Sequence, residues 1–487
     1  MKIVVDKAGY EPLYWQISDQ IKALILSGEL ADGVILPSER VLAERLQVHR
    51  NTVIKAYGRL KDEELIESAR GIGYRVIHAQ KETFETDVRH KVNWRNIIKD
   101  EYQDMESTFD DFFLHFAEEN AISFSTGMPS SVYNEDIVAA DMAEILTREN
   151  RKPFYFSPYQ GDLDLRHRII AFLRHKGIRA NIGQVQVLSE TNQALDFIVT
   201  AMLQPGDRVI IEEPVSPDVY RVIELAGGKT VTVPVDRDGI MCEHLEALIE
   251  NHKPKFIYVN SSFHDPTGQL LSVERRKKLL ELSNRYRLPI IEEDAASELA
   301  FNQVFVPSIK SMDRSENVIY IYSFSLTFIP GLSMAFVVAP EKLIKSLSYL
   351  VSIRMMSLDW MTQKLLARYL DNGAYYENLN RISASNEEKC ELMCRYLERL
   401  KPLGFSWETP KGGVYIWCKL PGGMDSREVA SLCEKRGIAV IPGTIFYPKK
   451  NAGQNHLRLN FSFESIERIK LGMENFVEII ETLAKNA

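Results

Sequence analysis

The sequence predicts a multidomain protein, in which a small α+β module precedes an α/β domain with a smaller C-terminal α+β lobe. Three observations support this prediction. The chain has 487 residues, which is too long for one ordinary hydrophobic core. Its first part contains short helical patterns in close succession. From about Ile122 onward, strand-like apolar runs alternate with helical stretches.

The composition is that of a globular protein, with 45% apolar and 26% charged residues. The formal net charge of −8 argues against attraction of the whole chain to nucleic acid, so any such contact must be a local patch. The N-terminal residues include several carboxylates and no apolar signal-peptide core, which predicts a cytoplasmic protein.

Two further features bear on location and metal binding. The segment from Val318 to Pro340 has no charge and is long enough to span a bilayer. Its serines, Pro-Gly step and β-branched residues instead favour a buried strand, a tight loop and a second buried strand, so we expect no membrane span.

The five cysteines include no Cys-x-x-Cys pair, which favours buried reduced thiols, and we expect no metal site.

The first helix is predicted from a helical repeat of apolar residues, namely Tyr14, Ile17, Ile21, Leu24 and Ile25. A second helix is predicted from Glu39 to Leu46, with Ser38 as its N-cap and with Val41, Leu42 and Leu46 facing inward. After three more residues, a third helix is predicted from Arg50 to about Leu60.

The third helix carries Asn51, Lys55 and Arg59 on the face opposite its apolar stripe. Two short helices joined by a tight turn, the second basic on its outer face, form the helix-turn-helix pattern. The N-terminal residues of such a helix can enter the major groove of DNA, where Arg and Asn reach base edges. The glycines of the Gly71–Arg75 stretch predict a β-hairpin wing that approaches a phosphate closely.

The order of the motifs PLY–Q–I, LPSER–LA–L, V–RNTV–AY–L and G–GY–V resembles the GntR-family winged helix along its whole length. The resemblance implies DNA contacts through these residues: Ser38, Arg40, Arg50, Asn51, Thr52 and the wing near Gly71. We add Lys55 and Gly73 from the helix and wing patterns. His49 stands where the family usually has a capping serine, and loss of that cap should cost about 1 kcal/mol locally. We also weigh a phosphate contact for His49.

The sequence divides into residues 1–79 as the winged helix-turn-helix, 80–119 as a polar linker, 120–370 as a large domain and 371–487 as a small lobe. Strand candidates in the two C-terminal parts are Val185–Leu188, Arg208–Glu212, Phe256–Val259, Pro289–Ile291, Val318–Tyr322, Met334–Ala339, Gly413–Lys419 and Leu457–Phe463. Their alternation with helices predicts a mostly parallel sheet in the large domain.

The region after the linker resembles fold-type I, pyridoxal-phosphate-dependent aminotransferases. The resemblance rests on motifs in the right order: SPYQGDLDLR (157–166), NQALDF (192–197), SFHDPTG (262–268), IIEEDAASEL (290–299), SFSLTFIPGL (323–332), PKGGVYIW (410–417) and PGTIFYP…LRLNFSF (442–463). A GntR-type winged helix fused to such a domain is the architecture of the MocR subgroup of regulators.

The resemblance also shows which catalytic groups are missing. The Schiff-base lysine of the family corresponds to Leu326, which cannot form an imine, so we expect no enzyme and no covalent cofactor at the usual position. The phosphate-binding arginine corresponds to Ser333 and a glycine of the phosphate turn to Glu190. The asparagine before PTG is Asp265. The pyridinium aspartate aligns with Glu293, with Asp294 as a one-residue alternative.

These changes remove cationic groups and add carboxylates where a phosphate dianion would lie, which disfavours even non-covalent pyridoxal phosphate. The family's two serines are retained as Ser323 and Ser325, and Arg458 matches the arginine that binds a substrate carboxylate. A buried ion pair is the alternative role for Arg458.

The sequence thus predicts a homodimeric, DNA-binding regulator whose aminotransferase-like domain binds an effector without catalysis. An amino-acid-like ligand would place its carboxylate on Arg458 and its amine near Asp265 and Glu293. A regulator that senses pyridoxal phosphate is the second hypothesis; a residual aminotransferase and a purely dimerising domain are the others.

Overall fold

The computed structural model describes residues 12–26, 33–63, 65–69, 73–77, 121–125, 133–148, 155–303, 305–449 and 452–486, together with residues 3, 5, 30, 97 and 98. The chain forms two compact units, Met1–Lys99 and Asp100–Ala487. Of the predicted linker 80–119, only Ile97 and Ile98 are among the described residues. In the part of the chain that is described, no helix is long and apolar enough to cross a membrane.

The described part of the first unit contains three helices and a hairpin: α1 (Leu13–Leu26), α2 (Glu39–Leu46), α3 (Arg50–Asp62), β1 (Ile66–Ala69) and β2 (Gly73–Val76). The strands β1 and β2 pair antiparallel, with Ile66 opposite Val76. The predicted helices and hairpin are therefore confirmed, while the wing tip with Gly71 lies outside the described residues.

The core of this unit forms where the helical stripes meet. Ile17 and Ile21 of α1, Val53 and Tyr57 of α3, and Leu42 of α2 are almost fully buried. The prediction for Val41 is wrong, because this side chain is 42% exposed and its neighbours Leu42 and Ala43 are buried instead. The inward face of α2 is thus shifted by one residue. Ser38 caps α2 as predicted, since its hydroxyl accepts a hydrogen bond from the Val41 amide.

The large sheet of the second unit has eight strands: β4 (Val185–Leu188), β5 (Arg208–Glu213), β6 (Lys229–Asp236), β7 (Gly239–Ile240), β8 (Ile257–Asn260), β9 (Ile290–Asp294), β10 (Val318–Ser323) and β11 (Ala335–Val338). Their order is β4-β11-β10-β9-β8-β5-β6-β7. The pairs from β10 through β6 are parallel, and β11 is antiparallel to both of its neighbours. The mostly parallel sheet is confirmed, and Val318–Pro340 forms two buried strands and their connection.

Helices cover both faces of this sheet. They are α4 (Glu135–Arg148), α5 (Leu163–His175), α6 (Thr191–Met202), α7 (Pro217–Leu225), α8 (Leu245–His252), α9 (Val273–Tyr286), α10 (Ile309–Met312), α11 (Glu341–Arg354) and α12 (Trp360–Asn372). Strand β6 was not predicted, because its threonines and Pro234 interrupt the apolar run and Val233 is the one fully buried residue among its eight. The carboxyl ends of β4, β5, β8, β9 and β10 meet at one edge of the sheet, where such folds bind ligands.

The small lobe contains β12 (Ser406–Trp407), β13 (Tyr415–Lys419), β15 (Ile441–Pro442) and β16 (His456–Asn460) in one sheet. A short parallel pair joins β3 (Ile122–Ser123) to β14 (Ile438–Ala439). Three helices complete the lobe: α13 (Ala374–Leu397), α14 (Ser426–Lys435) and α15 (Ile466–Asn486). The long helix α13 joins the two cores, since Tyr375 packs in the large one and Met393 in the small one.

Candidate functional site

The outer face of α3 is exposed to solvent. Asn51 and Lys55 are exposed, and the Arg50 side chain is 62% exposed although its Nη2 lies 3.4 Å from Glu39 Oε2. Arg40 is also exposed and pairs with Glu44 one turn later. The apolar side of the helix, with Val53 and Ala56, packs into the core. Burial of that stripe fixes which face of α3 points outward, as a recognition helix requires.

His49 caps this recognition helix, which corrects the expectation that the cap is lost. Its Nδ1 accepts a hydrogen bond from the Asn51 amide at 3.2 Å. A neutral imidazole nitrogen can accept such a bond as a serine oxygen does, so the first turn of α3 keeps one satisfied donor. The ring of His49 is thereby held at the start of the helix.

In the second unit, strand alternation separates the carboxylates of the IIEED segment. Glu293 is the register partner of Asn260 on β8 and of Ile321 on β10, and its carboxylate accepts a hydrogen bond from the Tyr258 hydroxyl. We call this side of the sheet the Glu293 face; by alternation Ser323 belongs to it. Burial raises the pKa of Glu293 to about 7, where the Tyr258 hydroxyl opposes the rise and the carboxylates of Asp265 and Asp218 add to it.

Glu292 and Asp294 point to the other side, the Asp294 face. Glu292 accepts hydrogen bonds from the amides of Ile309 and Lys310. Asp294 accepts one from the Tyr320 hydroxyl and lies 3.4 Å from the Lys176 ammonium. Because both carboxylates are engaged there, Glu293 is the acid of this segment that shares a face with Ser323.

Arg458 and Asp265 form a buried ion pair that joins the two lobes. Arg458 Nη1 lies 2.7 Å from Asp265 Oδ1, and Nη2 donates to the Ser125 carbonyl at 3.0 Å. The two side chains are 3% and 21% exposed. The guanidinium also lies 4.2 Å from the Tyr415 ring centroid. Burial raises the pKa of Asp265, and the adjacent Arg458 opposes that rise. The alternative role considered for Arg458, a buried ion pair, is the one the structure displays.

The serine motif is also satisfied within the protein. Ser323 Oγ and Ser325 Oγ are 2.7 Å apart, and the Ser325 amide donates to Ser323 Oγ. Leu326 is partly buried and packs against the large core. Its methyl groups provide neither a nucleophile nor a proton carrier at this turn.

The residues near the expected phosphate position do not fit a phosphate. Glu190 is the N-terminal flanking residue of α6, and its side chain makes no capping bond. The Glu190 carboxylate adds an acidic group at this helix end, where free amides would otherwise favour a phosphate. Burial raises the pKa of Glu190, and the nearby Ser333 hydroxyl and Thr191 amide oppose the rise. Ser333 supplies no positive charge. Leu326 and Ser333, the residues aligned with the covalent anchor and the phosphate arginine, therefore do not fit pyridoxal phosphate.

A separate concavity of about 530 Å³ lies on the Asp294 face. Its lining includes Lys176, Asp294, Glu298 and Tyr376. The Lys176 ammonium is 2.6 Å from Glu298 and is 9% exposed, so its charge is already compensated inside the protein. In the described part of the chain, no group of three or more His, Cys, Asp or Glu side chains could hold a metal ion. All five cysteines are free.

Sequence reasoning missed four residues that shape these faces, namely Tyr258, Asn260, Asp218 and Lys176. The first two alternate on β8 with buried apolar residues, so a strand pattern could have assigned them to the Glu293 face. Asp218 lies in the first turn of α7, and its proximity to Glu293 depends on the fold. Lys176 follows a run of basic residues and carries no distinguishing signal.

Comparison with known proteins agrees with both units. Residues 119–471 match the family described as Aminotransferase class I and II, and residues 13–76 match the bacterial regulatory proteins of the gntR family. An uncharacterized HTH-type transcriptional regulator of Bacillus subtilis, YdfD, is 29% identical over 97% of both chains. The HTH-type transcriptional regulator NorG of Staphylococcus aureus is 27% identical over 89% of this chain and 97% of its own.

Several of the similar solved structures are aminotransferases. LysN, an α-aminoadipate aminotransferase of Thermus thermophilus, is 26% identical with a TM-score of 0.76, covering 81% of this chain and all of that one. A winged helix ahead of such a domain, shared with relatives named as transcriptional regulators, is the MocR-like architecture. The chain therefore belongs to the aminotransferase class I and II family and, with its gntR-type N-terminal domain, is a MocR-like transcription regulator.

Proposed function

We propose that the aminotransferase-like domain of this regulator binds a small effector without catalysis and that the bound effector changes DNA binding. The observation that carries the proposal is the Arg458–Asp265 ion pair. Two further motif residues, Ser323 and Ser325, are hydrogen-bonded to each other, and Leu326 packs against the large core. A site of this kind can recognise a ligand while lacking the nucleophile for transamination.

The proposed DNA contacts are those of the recognition helix and the wing. They are Ser38, Arg40, His49, Arg50, Asn51, Thr52, Lys55, Gly71 and Gly73. Support comes from the exposed outer face of α3 and from the match of residues 13–76 to the gntR family. Because Ser38 caps α2 and His49 caps α3, these two residues also hold the helix starts at the DNA-facing side.

We also propose a homodimer, which suits recognition of two DNA half-sites. An apolar patch supports it: Tyr155 and Phe156 are about 70% exposed, and Ile353 and Met356 are nearly as exposed. A hydrogen bond of 3.0 Å from the Ser157 amide to Ser357 Oγ brings these two segments together. Contiguous apolar surface of this kind is typical of protein interfaces.

The amino-acid-like ligand predicted from the sequence requires a free Arg458. The ion pair with Asp265 counts against a contact between Arg458 and a ligand carboxylate. It does not affect the proposed contact between a ligand amine and Glu293. The second hypothesis, a regulator that senses pyridoxal phosphate, is disfavoured by Glu190 and Ser333 at the expected phosphate position.

Selection of bound duplexes from a random DNA library tests the proposal for DNA. The full-length chain should enrich a sequence with two half-sites, and a monomeric Phe156→Glu variant should lose the two-site requirement. Light scattering on the same samples reports the oligomeric state. Enrichment of no sequence, or a wild-type monomer, would contradict the proposed mode of DNA binding.

A further inference from the structure

We propose that the Glu293 face binds a small aliphatic primary amine that lacks a carboxylate, and that Asp265 excludes carboxylate-bearing ligands by occupying Arg458. This inference rests on the proposed function, because it assigns a chemical class to the effector. It concerns the site formed by Glu293, Asn260, Asp265, Arg458 and Asp218, which we call the Glu293 site.

The charges of the Glu293 site favour a cation. Glu293, Asp265 and Asp218 are close enough for each of the other two carboxylates to affect the pKa of Glu293. Arg458 pairs with Asp265 at 2.7 Å. On the opposite side of the sheet, Arg276 pairs with Glu292, and Lys176 pairs with Asp294 and Glu298. Glu293 forms no salt bridge within the described residues, so a bound ammonium would supply the positive charge that its carboxylate lacks.

A second observation points to a hydrogen-bond donor. Asn260 is 9% exposed, and its Oδ1 is buried without a hydrogen-bond partner. Asn260 is the register partner of Glu293, so the two side chains extend from adjacent strands toward the same face. Buried acceptors in native proteins are normally satisfied, which makes this amide oxygen a candidate ligand contact.

The acceptors match the donors of an ammonium group. Tyr258 donates to Glu293 Oε2, which leaves Glu293 Oε1 for a ligand. A primary ammonium has three donors and no acceptor, so it can satisfy Glu293 and Asn260 together. An ionised carboxylate or a phosphate dianion has only acceptors, so it cannot donate to the Asn260 oxygen or to ionised Glu293.

Asp265 explains why a carboxylate would be rejected. Two nitrogens of Arg458 are already engaged, by Asp265 and by the Ser125 carbonyl. A ligand carboxylate must displace Asp265, which would then lie unpaired beside Glu293. Leaving a charge buried without its partner is strongly unfavourable, so the exchange is resisted. The neutral variant Asp265→Asn should therefore release Arg458 and reverse the selectivity.

Isothermal titration of the full-length protein tests this with matched probes: butylamine, 1,4-diaminobutane, 4-aminobutanoate and butanoate. Wild type should bind at least one of the two carboxylate-free amines, and each carboxylate probe at least about tenfold more weakly. Glu293→Gln should weaken amine binding about tenfold or more. Asp265→Asn should bind 4-aminobutanoate more tightly than wild type does. Glu387→Gln, on the other concavity, is the matched control and should bind like wild type.

Circular dichroism and melting curves identify variants that fail to fold. The ranking of the four probes by their affinity for the wild-type protein tests the inference without any variant. Tighter wild-type binding of 4-aminobutanoate than of both amines, or no binding of either amine, would overturn this inference. DNA selection with the same preparation remains independent of these probes. A chain that selects an operator but binds no amine refutes only the ligand class, whereas loss of DNA selection refutes the proposed function itself.

Discussion

Arg50 and Arg458 are both matched to ligand-binding positions, and each pairs with a carboxylate, but in opposite surroundings. Arg50 lies 3.4 Å from Glu39 and its side chain is 62% exposed, whereas Arg458 lies 2.7 Å from Asp265 and is 3% exposed. An exposed pair contributes at most about 1 kcal/mol, so DNA can readily replace Glu39. A buried pair cannot exchange its partner without compensation. The two carboxylates are similarly exposed, at 23% for Glu39 and 21% for Asp265, so the burial of the arginine itself distinguishes the two pairs. A family-matched arginine is open to a ligand when its own guanidinium reaches solvent.

The largest expected effect is on stability at the buried pair. Arg458→Met should destabilise the second unit by about 3–5 kcal/mol, because it leaves Asp265 buried without its partner. Arg458→Met combined with Asp265→Leu should recover most of the loss, since no uncompensated charge remains. Thermal melting followed by calorimetry measures both. An Arg458→Met variant that melts at the wild-type temperature would contradict this prediction.

The buried carboxylate Glu212 should make stability depend on pH. Its Oε2 accepts a hydrogen bond from the Asn260 amide, and burial raises its pKa from 4.5 to about 8. A raised folded-state pKa in an acid means that stability is fully present below pH 4.5 and is lost as pH rises toward 8. Glu212→Gln should therefore gain about 2 kcal/mol or more relative to wild type across this interval. Urea unfolding at a series of pH values tests this. A difference between the two proteins that stays constant with pH would count against it.

At the exposed pair, Arg50→Ala should leave the melting temperature unchanged and weaken operator binding by about 1–3 kcal/mol. In the free protein Arg50 makes an exposed ion pair that contributes little to stability, whereas in the complex its removal would abolish the proposed base contact. Fluorescence anisotropy on the selected operator gives the affinity. Lys55→Ala is a useful companion, because loss of a phosphate contact lowers the salt dependence without changing sequence preference. Operator binding by Arg50→Ala equal to wild type would remove the proposed contact.

The smallest expected effect concerns the cap of the recognition helix. His49→Ala should cost the first unit about 1 kcal/mol, since the Asn51 amide loses its acceptor, and His49→Ser should retain most of the stability. Chemical denaturation followed by the circular dichroism of the helices compares the three proteins. Equal stability of the alanine variant would show that the imidazole contributes no cap.

Much of the fold was predictable because its signals are local. The helix starts at Glu39 and Arg50, and the strands at Val185 and Val318, follow from caps and buried apolar runs. Strand β6 was not predicted, because its polar residues and Pro234 hide the pattern. From the sequence, the site can be described as a set of motif positions, including Leu326 and Glu293. The ion pair between Asp265 and Arg458 was not predictable, because these residues are 193 positions apart and meet only when the two lobes pack.

The measurement that tests the account most directly is a titration of the purified protein with pyridoxal phosphate, followed by borohydride reduction and mapping of any modified peptide. The central claim is that the aminotransferase-like site is not catalytic. We expect no stoichiometric pyridoxyl adduct, because Leu326 cannot form an imine and Glu190 and Ser333 bring no positive charge to the expected phosphate position. Scattered, substoichiometric labelling of surface lysines fits this expectation. A saturable adduct on one lysine of the second unit would contradict the account and identify the residue that replaces the missing nucleophile.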